Sequence, residues 1–138
     1  MTTPPRSAPV PVVDQDSEPF WEAARAGRFV LCRSVRTGRW IHPPQETDPD
    51  GGPVRFEEVS GRGEVFSFIV VRRSSAPGFE APYVVGLIEL AEQPGLRITA
   101  IIDADPEDVS VGAAVRARMA PMGNTGFSAP HMELVPAE

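Results

Sequence analysis

From Val54 to the C-terminus the chain is a succession of short apolar runs, each closed by glycine, proline or a polar turn. Runs this short and this often interrupted exclude long helices and predict strands. Glu64 to Arg73 contains Val65-Phe66-Ser67-Phe68-Ile69-Val70-Val71, which fits a strand buried on most of both faces. Gly61 and Gly63 bracket its start and predict a bend or bulge. Tyr83 to Leu90 is a second β run, and Gln93-Pro94-Gly95 turns the chain. Leu96, Ile98, Ala100 and Ile102 then alternate with Arg97 and Thr99, the period of a half-buried strand. Asp105-Pro106-Glu107-Asp108 suits a short helical turn. Val115, Ala117 and Met119 alternate with Arg116 and Arg118, and Phe127 to Val135 offers a last strand. This order fits a small closed Greek-key barrel such as an OB-fold, with an SH3-like barrel or a sandwich as the alternative.

The N-terminal part reads differently. Residues 1–16 hold four prolines among small and polar residues and read as a mobile arm. Glu18 to Gly27 reads as a short helix with Ser17 as N-cap and Pro19 in the first turn. Phe20, Trp21 and Ala24 form its apolar face, and so short a helix must pack on something. Phe29 to Arg33 and Arg39 to His42 predict a hairpin around Thr37-Gly38, ended by Pro43-Pro44. Residues 45–53 read as an exposed loop. Three units follow: an arm over 1–16, a helix and hairpin over 17–53, and a barrel over 54–138.

Composition removes several function classes. The net charge of −6 and pI of about 4.9 argue against a nucleic-acid binder, which needs a basic surface. All 13 basic residues are arginine, which leaves room for a small anion site. The single cysteine, Cys32, allows no intrachain disulfide. No signal peptide and no apolar run of membrane-spanning length is evident, so a soluble cytoplasmic protein is expected. His42 and His131 stand alone in the sequence, and Ser60 and Ser67 lack a Gly-x-Ser-x-Gly elbow. Gly61-Arg62-Gly63 is too short for a phosphate loop, and the carboxylates scatter. No catalytic set is visible, and no catalysis by this chain alone is expected.

Several segments together resemble a known family. Pro19-Phe20-Trp21-Glu22 with Gly27-Arg28 is similar to the N-terminal helix of DUF35 proteins. Trp40-Ile41-His42-Pro43-Pro44 resembles a segment inside their ribbon, and Val59 to Ser67 resembles the opening of their first barrel strand. Ala81 to Leu90, Asp105 to Val109, Val111-Gly112 and Val115-Arg116 continue the likeness in unbroken order. The resemblance implies a mainly β chain: an N-terminal helix, a rubredoxin-like zinc-ribbon hairpin and a C-terminal OB-fold Greek-key barrel.

The family ribbon carries two Cys-x-x-Cys pairs that hold zinc through four thiolates. Registered on Gly38 and Pro43-Pro44, those positions fall at Ser34, Thr37, Asp48 and Gly51. None is cysteine, so a degenerate ribbon with no structural zinc is expected. Residues 45–53 are then expected to form a mobile loop, with a partner surface ordering residues 34–53.

The resemblance further implies an accessory subunit without a cofactor of its own. It would bind a thiolase-like enzyme or a MaoC-type hydratase as a hetero-oligomer and help shape an acyl-CoA channel in aldolase, thiolase or acyltransferase chemistry. Candidate interface residues are Phe20, Trp21, Trp40 and Phe79. The alternative is direct acyl-CoA binding, with Arg72 and Arg73 on the phosphates and Phe79, Pro82 and Tyr83 over the pantetheine. A third reading, single-stranded nucleic-acid binding by an OB-fold, lacks the basic groove and the aromatics it needs.

Overall fold

The structure is a computed structural model that describes residues 9–73 and 79–136. Helix α1 spans Glu18–Arg25. Its cap differs from the sequence expectation: Ser17 makes no capping bond through its side chain to the helix. Asp14 takes that role. The Ser17 N–H donates to Asp14 Oδ1 at 2.8 Å, and the Asp14 N–H donates back to Ser17 Oγ at 3.2 Å. This reciprocal pair has the form of a capping box begun one turn earlier than Ser17.

Three strands, β1 (Val30–Ser34), β2 (Trp40–Ile41) and β3 (Val54–Glu58), form one small sheet in the order β2-β1-β3. β3 runs antiparallel to β1 from Val30↔Glu58 to Ser34↔Val54. The hairpin sheet therefore takes in residues 54–58, which the sequence pattern groups with the barrel. The reason is that β1 is buried and needs a hydrogen-bonding partner on both edges.

The remaining strands are β4 (Arg62–Val71), β5 (Tyr83–Leu90), β6 (Arg97–Ile102), β7 (Ala114–Pro121) and β8 (Ser128–Leu134). They close into a barrel in the order β4-β5-β6-β8-β7, with a 3-10 turn at Pro106–Asp108 between β6 and β7. Four of the five pairings are antiparallel; β6 and β8 are parallel and pair only at Ile101↔His131 and Ile102↔Met132. The chain is thus mainly β with an OB-fold barrel.

Alternation fills the barrel. Val84, Ile88 and Met132 are completely buried, and Val65, Ile98, Ile102 and Val115 pack around them. Each such side chain contributes about 1.5–3 kcal/mol through removal from water. β4 departs from the sequence expectation. Phe66 is 43% and Ile69 62% exposed, so its outer face is open rather than covered. A barrel buries one face of each strand; on the other, the Arg97 guanidinium lies over the Phe66 ring at 3.6 Å and Ile69 stays exposed. A register shift between Val65 and Ser67 supplies the predicted irregularity, displaced from the glycines themselves.

The two sheets are joined at Trp40, which is buried at 8% exposure with the Arg33 guanidinium over its ring at 4.6 Å. The Trp40 N–H donates to Gln93 Oε1 at 2.9 Å, and Gln93 Nε2 donates back to the Trp40 carbonyl at 3.2 Å. Trp40, a candidate interface residue from the sequence, packs in the core.

Candidate functional site

Helix α1 lies beside the short seam at which β6 pairs with β8. The helix packs against β8 and β1. Beneath it is an apolar cavity of about 350 Å³. Phe20 and Trp21 form its roof, Leu31 and Phe29 one side, and Ile98, Ala100 and Pro130 its floor. The roof is built by aromatic edges. Phe20 meets Trp21 with centroids 4.8 Å apart and Phe29 at 6.5 Å, and Trp21 meets Phe127 at 5.7 Å, all near perpendicular. A cavity of this size and lining suits a small apolar ligand or the end of an acyl chain.

The structure brings together three residues singled out from sequence: Phe20, Trp21 and Phe79 all line this cavity. Tyr83 stands behind Phe79 with ring centroids 5.5 Å apart. Arg72 and Arg73 are exposed at the end of β4 and do not line the cavity. The preceding Val71 pairs with Tyr83, which places the two arginines one step beyond the Tyr83–Phe79 stack. Pro82 is exposed next to Tyr83.

Two residues gain a place that sequence did not give them. His42 and His131 both line the cavity. His42 is open to solvent on one side, and the apolar atoms packed on the other push its pKa below the usual histidine value. His131 Nδ1 lies 3.1 Å from both carboxylate oxygens of Asp103. Arg118 Nη2 donates to the same carboxylate at 2.7 Å, and Arg118 Nε donates to Glu133 at 2.7 Å. The cavity thus has one polar margin on an apolar wall. Its members come from β7, β8 and the residue that follows β6, and only the barrel topology reveals that Asp103 and His131 meet. The one thiol, Cys32, is 1% exposed and its pKa is raised by burial, so it is inert.

The four positions aligned with zinc ligands are also described. Ser34 and Asp48 are buried at 2% and 3% exposure, and the Ser34 hydroxyl donates to Asp48 Oδ2 at 2.9 Å. Asp48 Oδ1 accepts from the N–H groups of Gly52 at 2.7 Å and Asp50 at 2.9 Å. The Arg36 guanidinium spans both oxygens at 3.1 and 3.3 Å. The Thr37 N–H donates to Ser34 Oγ at 3.2 Å. These residues do not fit a zinc ion. They offer no thiolate, Gly51 has no side chain and a φ of 81°, and the Asp48 oxygens are already engaged. Among the described residues, no group of three or more His, Cys, Asp and Glu side chains is placed to hold a metal ion. The loop over residues 45–53 is accordingly tied into the hairpin by hydrogen bonds within the chain, not left as the loose segment expected from the missing cysteines.

The pKa of Asp48 is lowered from 3.8 to about 2, chiefly by the Gly52 N–H and then by Arg36 and Ser34, against the cost of desolvation. A carboxylate with a depressed folded pKa stabilises fully above its ordinary value and loses that contribution as pH falls through the folded value. The loop is therefore expected to loosen between about pH 4 and about pH 2. The Gly52 amide resonance should titrate with a midpoint near 2; a midpoint near 4 would show that the carboxylate is not held as described.

Comparison with known proteins places this architecture. The sequence profile of the ChsH2 C-terminal OB-fold domain matches residues 56–120. A DUF35 domain-containing scaffold protein of Methanothermobacter thermautotrophicus is 32% identical over 111 residues, covering 62% of this chain and 80% of that protein. The chain belongs to the DUF35 family. Among solved structures, the Ltp2-ChsH2(DUF35) aldolase superposes with a TM-score of 0.82 and 29% identity, over 91% of this chain and 98% of that one. The 3-oxo-4,17-pregnadiene-20-carboxyl-CoA hydratase alpha subunit of Mycobacterium tuberculosis is 34% identical over 110 residues, 78% of this chain and 34% of that subunit. This DUF35 chain spans about a third of the length of the hydratase alpha subunits it matches. Among its described residues, no helix is long and apolar enough to cross a membrane.

Proposed function

We propose that this chain is a non-catalytic subunit of an acyl-CoA enzyme, docking on a thiolase-like or MaoC-type hydratase partner and completing its acyl channel. One observation carries the proposal: the seam of the barrel opens into an apolar cavity roofed by Phe20 and Trp21 and flanked by Phe79. The cavity offers an apolar tail a place out of water. The nucleophile and bases of the reaction belong to the partner. The names of its relatives support this, since one is a subunit of a CoA-thioester hydratase and another is solved within an aldolase.

Co-expression with thiolase-like and MaoC-type hydratase proteins of the same genome tests the proposal. A stable complex is expected, and acyl-CoA turnover should fall on the order of 100-fold when this chain is left out, the scale of losing substrate positioning. A partner that is fully active alone, or that never co-purifies, defeats it.

The geometry also favours a finer reading of how a CoA ester would lie. Arg72 and Arg73 follow Val71, which pairs with Tyr83; the Tyr83 ring packs on Phe79, and Phe79 lines the cavity. The phosphates would meet the arginines, and the pantetheine would pass the two rings. Calorimetry on the complex with CoA should show binding at least 10-fold weaker after Arg72→Ala plus Arg73→Ala, the effect of about 1.4 kcal/mol of lost ion pairing. Unchanged affinity removes the arginines from the site.

A further inference from the structure

We infer that the Asp48 carboxylate does for this ribbon what a metal ion does in a cysteine-ligated one: it ties the two turns of the hairpin region together, with no metal present. The first turn, Ser34 to Gly38, supplies the Ser34 hydroxyl and the Arg36 guanidinium. The second, Asp48 to Gly52, supplies the N–H groups of Asp50 and Gly52. All four donors converge on one side chain. A structural zinc works because several ligands from two loops meet at one charged centre. Here the sign is reversed: the centre is an anion and the loops bring donors.

The arrangement is built in detail. Asp48 is 3% exposed, and each of its oxygens has at least two donors. Ser34 both donates to Asp48 and accepts the Thr37 N–H, so the same network closes the first turn. Arg36 neutralises the buried charge from the solvent side, and it reaches Asp48 across Gly52. A Cβ at Gly52 would overlap that guanidinium. The two turns also differ in length. The Ser34 N–H donates to the Arg39 carbonyl, five residues on, whereas the Asp48 N–H donates to the Gly52 carbonyl, four residues on. The second turn is one residue shorter and fits around a carboxylate.

This assignment is independent of the proposed function, but it bears on the cavity. Leu31 on β1 and His42 after β2 line the cavity wall on either side of the first turn. The clamp holds that wall without metal supply and without a partner.

Amide hydrogen exchange on the full chain, combined with metal analysis, tests the inference. The purified protein should carry no stoichiometric zinc, and a strong chelator should leave every exchange rate unchanged. Asp48→Ala should speed exchange at Thr37, Asp50 and Gly52 on the order of 100-fold, while amides of β5 in the barrel stay protected. If Asp48→Ala fails to fold, Asp48→Asn, which keeps one carbonyl acceptor, should show the same selective acceleration to a smaller degree. One zinc per chain, faster exchange after chelation, or unchanged exchange at those three amides in the variant that folds would each overturn the inference.

Discussion

Gly63→Ala is expected to destabilise the barrel by about 3 kcal/mol, more than a typical surface substitution by an order of magnitude. The cause is steric. Gly63 pairs with Leu90 on β5 and with Val115 on β7, so its backbone is held from both sides. A Cβ there would stand 2.5 Å from the Glu89 carbonyl oxygen and 3.1 Å from Ile88 Cγ2. A carbonyl in a strand ladder cannot move aside without breaking pairs. Gly86 makes an instructive contrast. Its added Cβ would also meet an atom at 2.5 Å, but that atom is Ile102 Cδ1, the free end of a side chain. Gly86→Ala should therefore cost less than Gly63→Ala. Urea denaturation of both variants checks the order; equal effects, or a larger one at Gly86, would show that the β4–β5–β7 junction is not pinned as described.

The sequence marks the glycine at the junction, since two glycines bracket the start of a long apolar run. It does not mark that glycine's partners. Period-two alternation at Leu96 to Ile102 and Val115 to Met119 makes the strands legible because one face of each meets the core. The same rule misleads at Val65 to Val71. A continuous apolar run reads identically whether its second face is covered by this chain or left open, as Ile69 is. Trp40 is a parallel case: an aromatic in a hairpin gives no sign of which side it faces, and here Gln93, far along the chain, fixes it in the core.

The candidate site divides in the same way. Phe20, Trp21 and Phe79 were visible as large aromatics on elements with no partner of their own. The histidines were not, because His131 acquires Asp103 only through the parallel seam, with Ile101 opposite His131. The zinc positions were located by their loss of cysteine. What replaces the metal was hidden, since a Ser, an Arg, an Asp and two backbone amides in separate turns form no sequence motif. Losing four ligands does not predict loss of order when a buried carboxylate can gather the same two turns.

Trp21→Ala is expected to lower stability by about 2 kcal/mol, less than the 3–5 kcal/mol of a fully buried aromatic because the indole is only half-buried. It removes the edge contacts to Phe20 and Phe127 and opens the cavity roof. Its consequence for function should be larger and different in kind. If the cavity receives the apolar end of the substrate, widening it should shift the acyl preference of the complex towards bulkier chains. A change of about 10-fold in relative kcat/KM is expected, the scale of one or two methylenes in an apolar pocket. Trp21→Phe keeps an aromatic edge over the seam and should preserve most of the preference. Steady-state kinetics of the complex across a series of acyl-CoA chain lengths separates the two effects, because a purely structural role lowers the melting temperature without altering the ratio between substrates. A Trp21→Ala complex with reduced stability and an unchanged ratio would leave the roof as packing alone and would move the acyl channel away from the barrel seam.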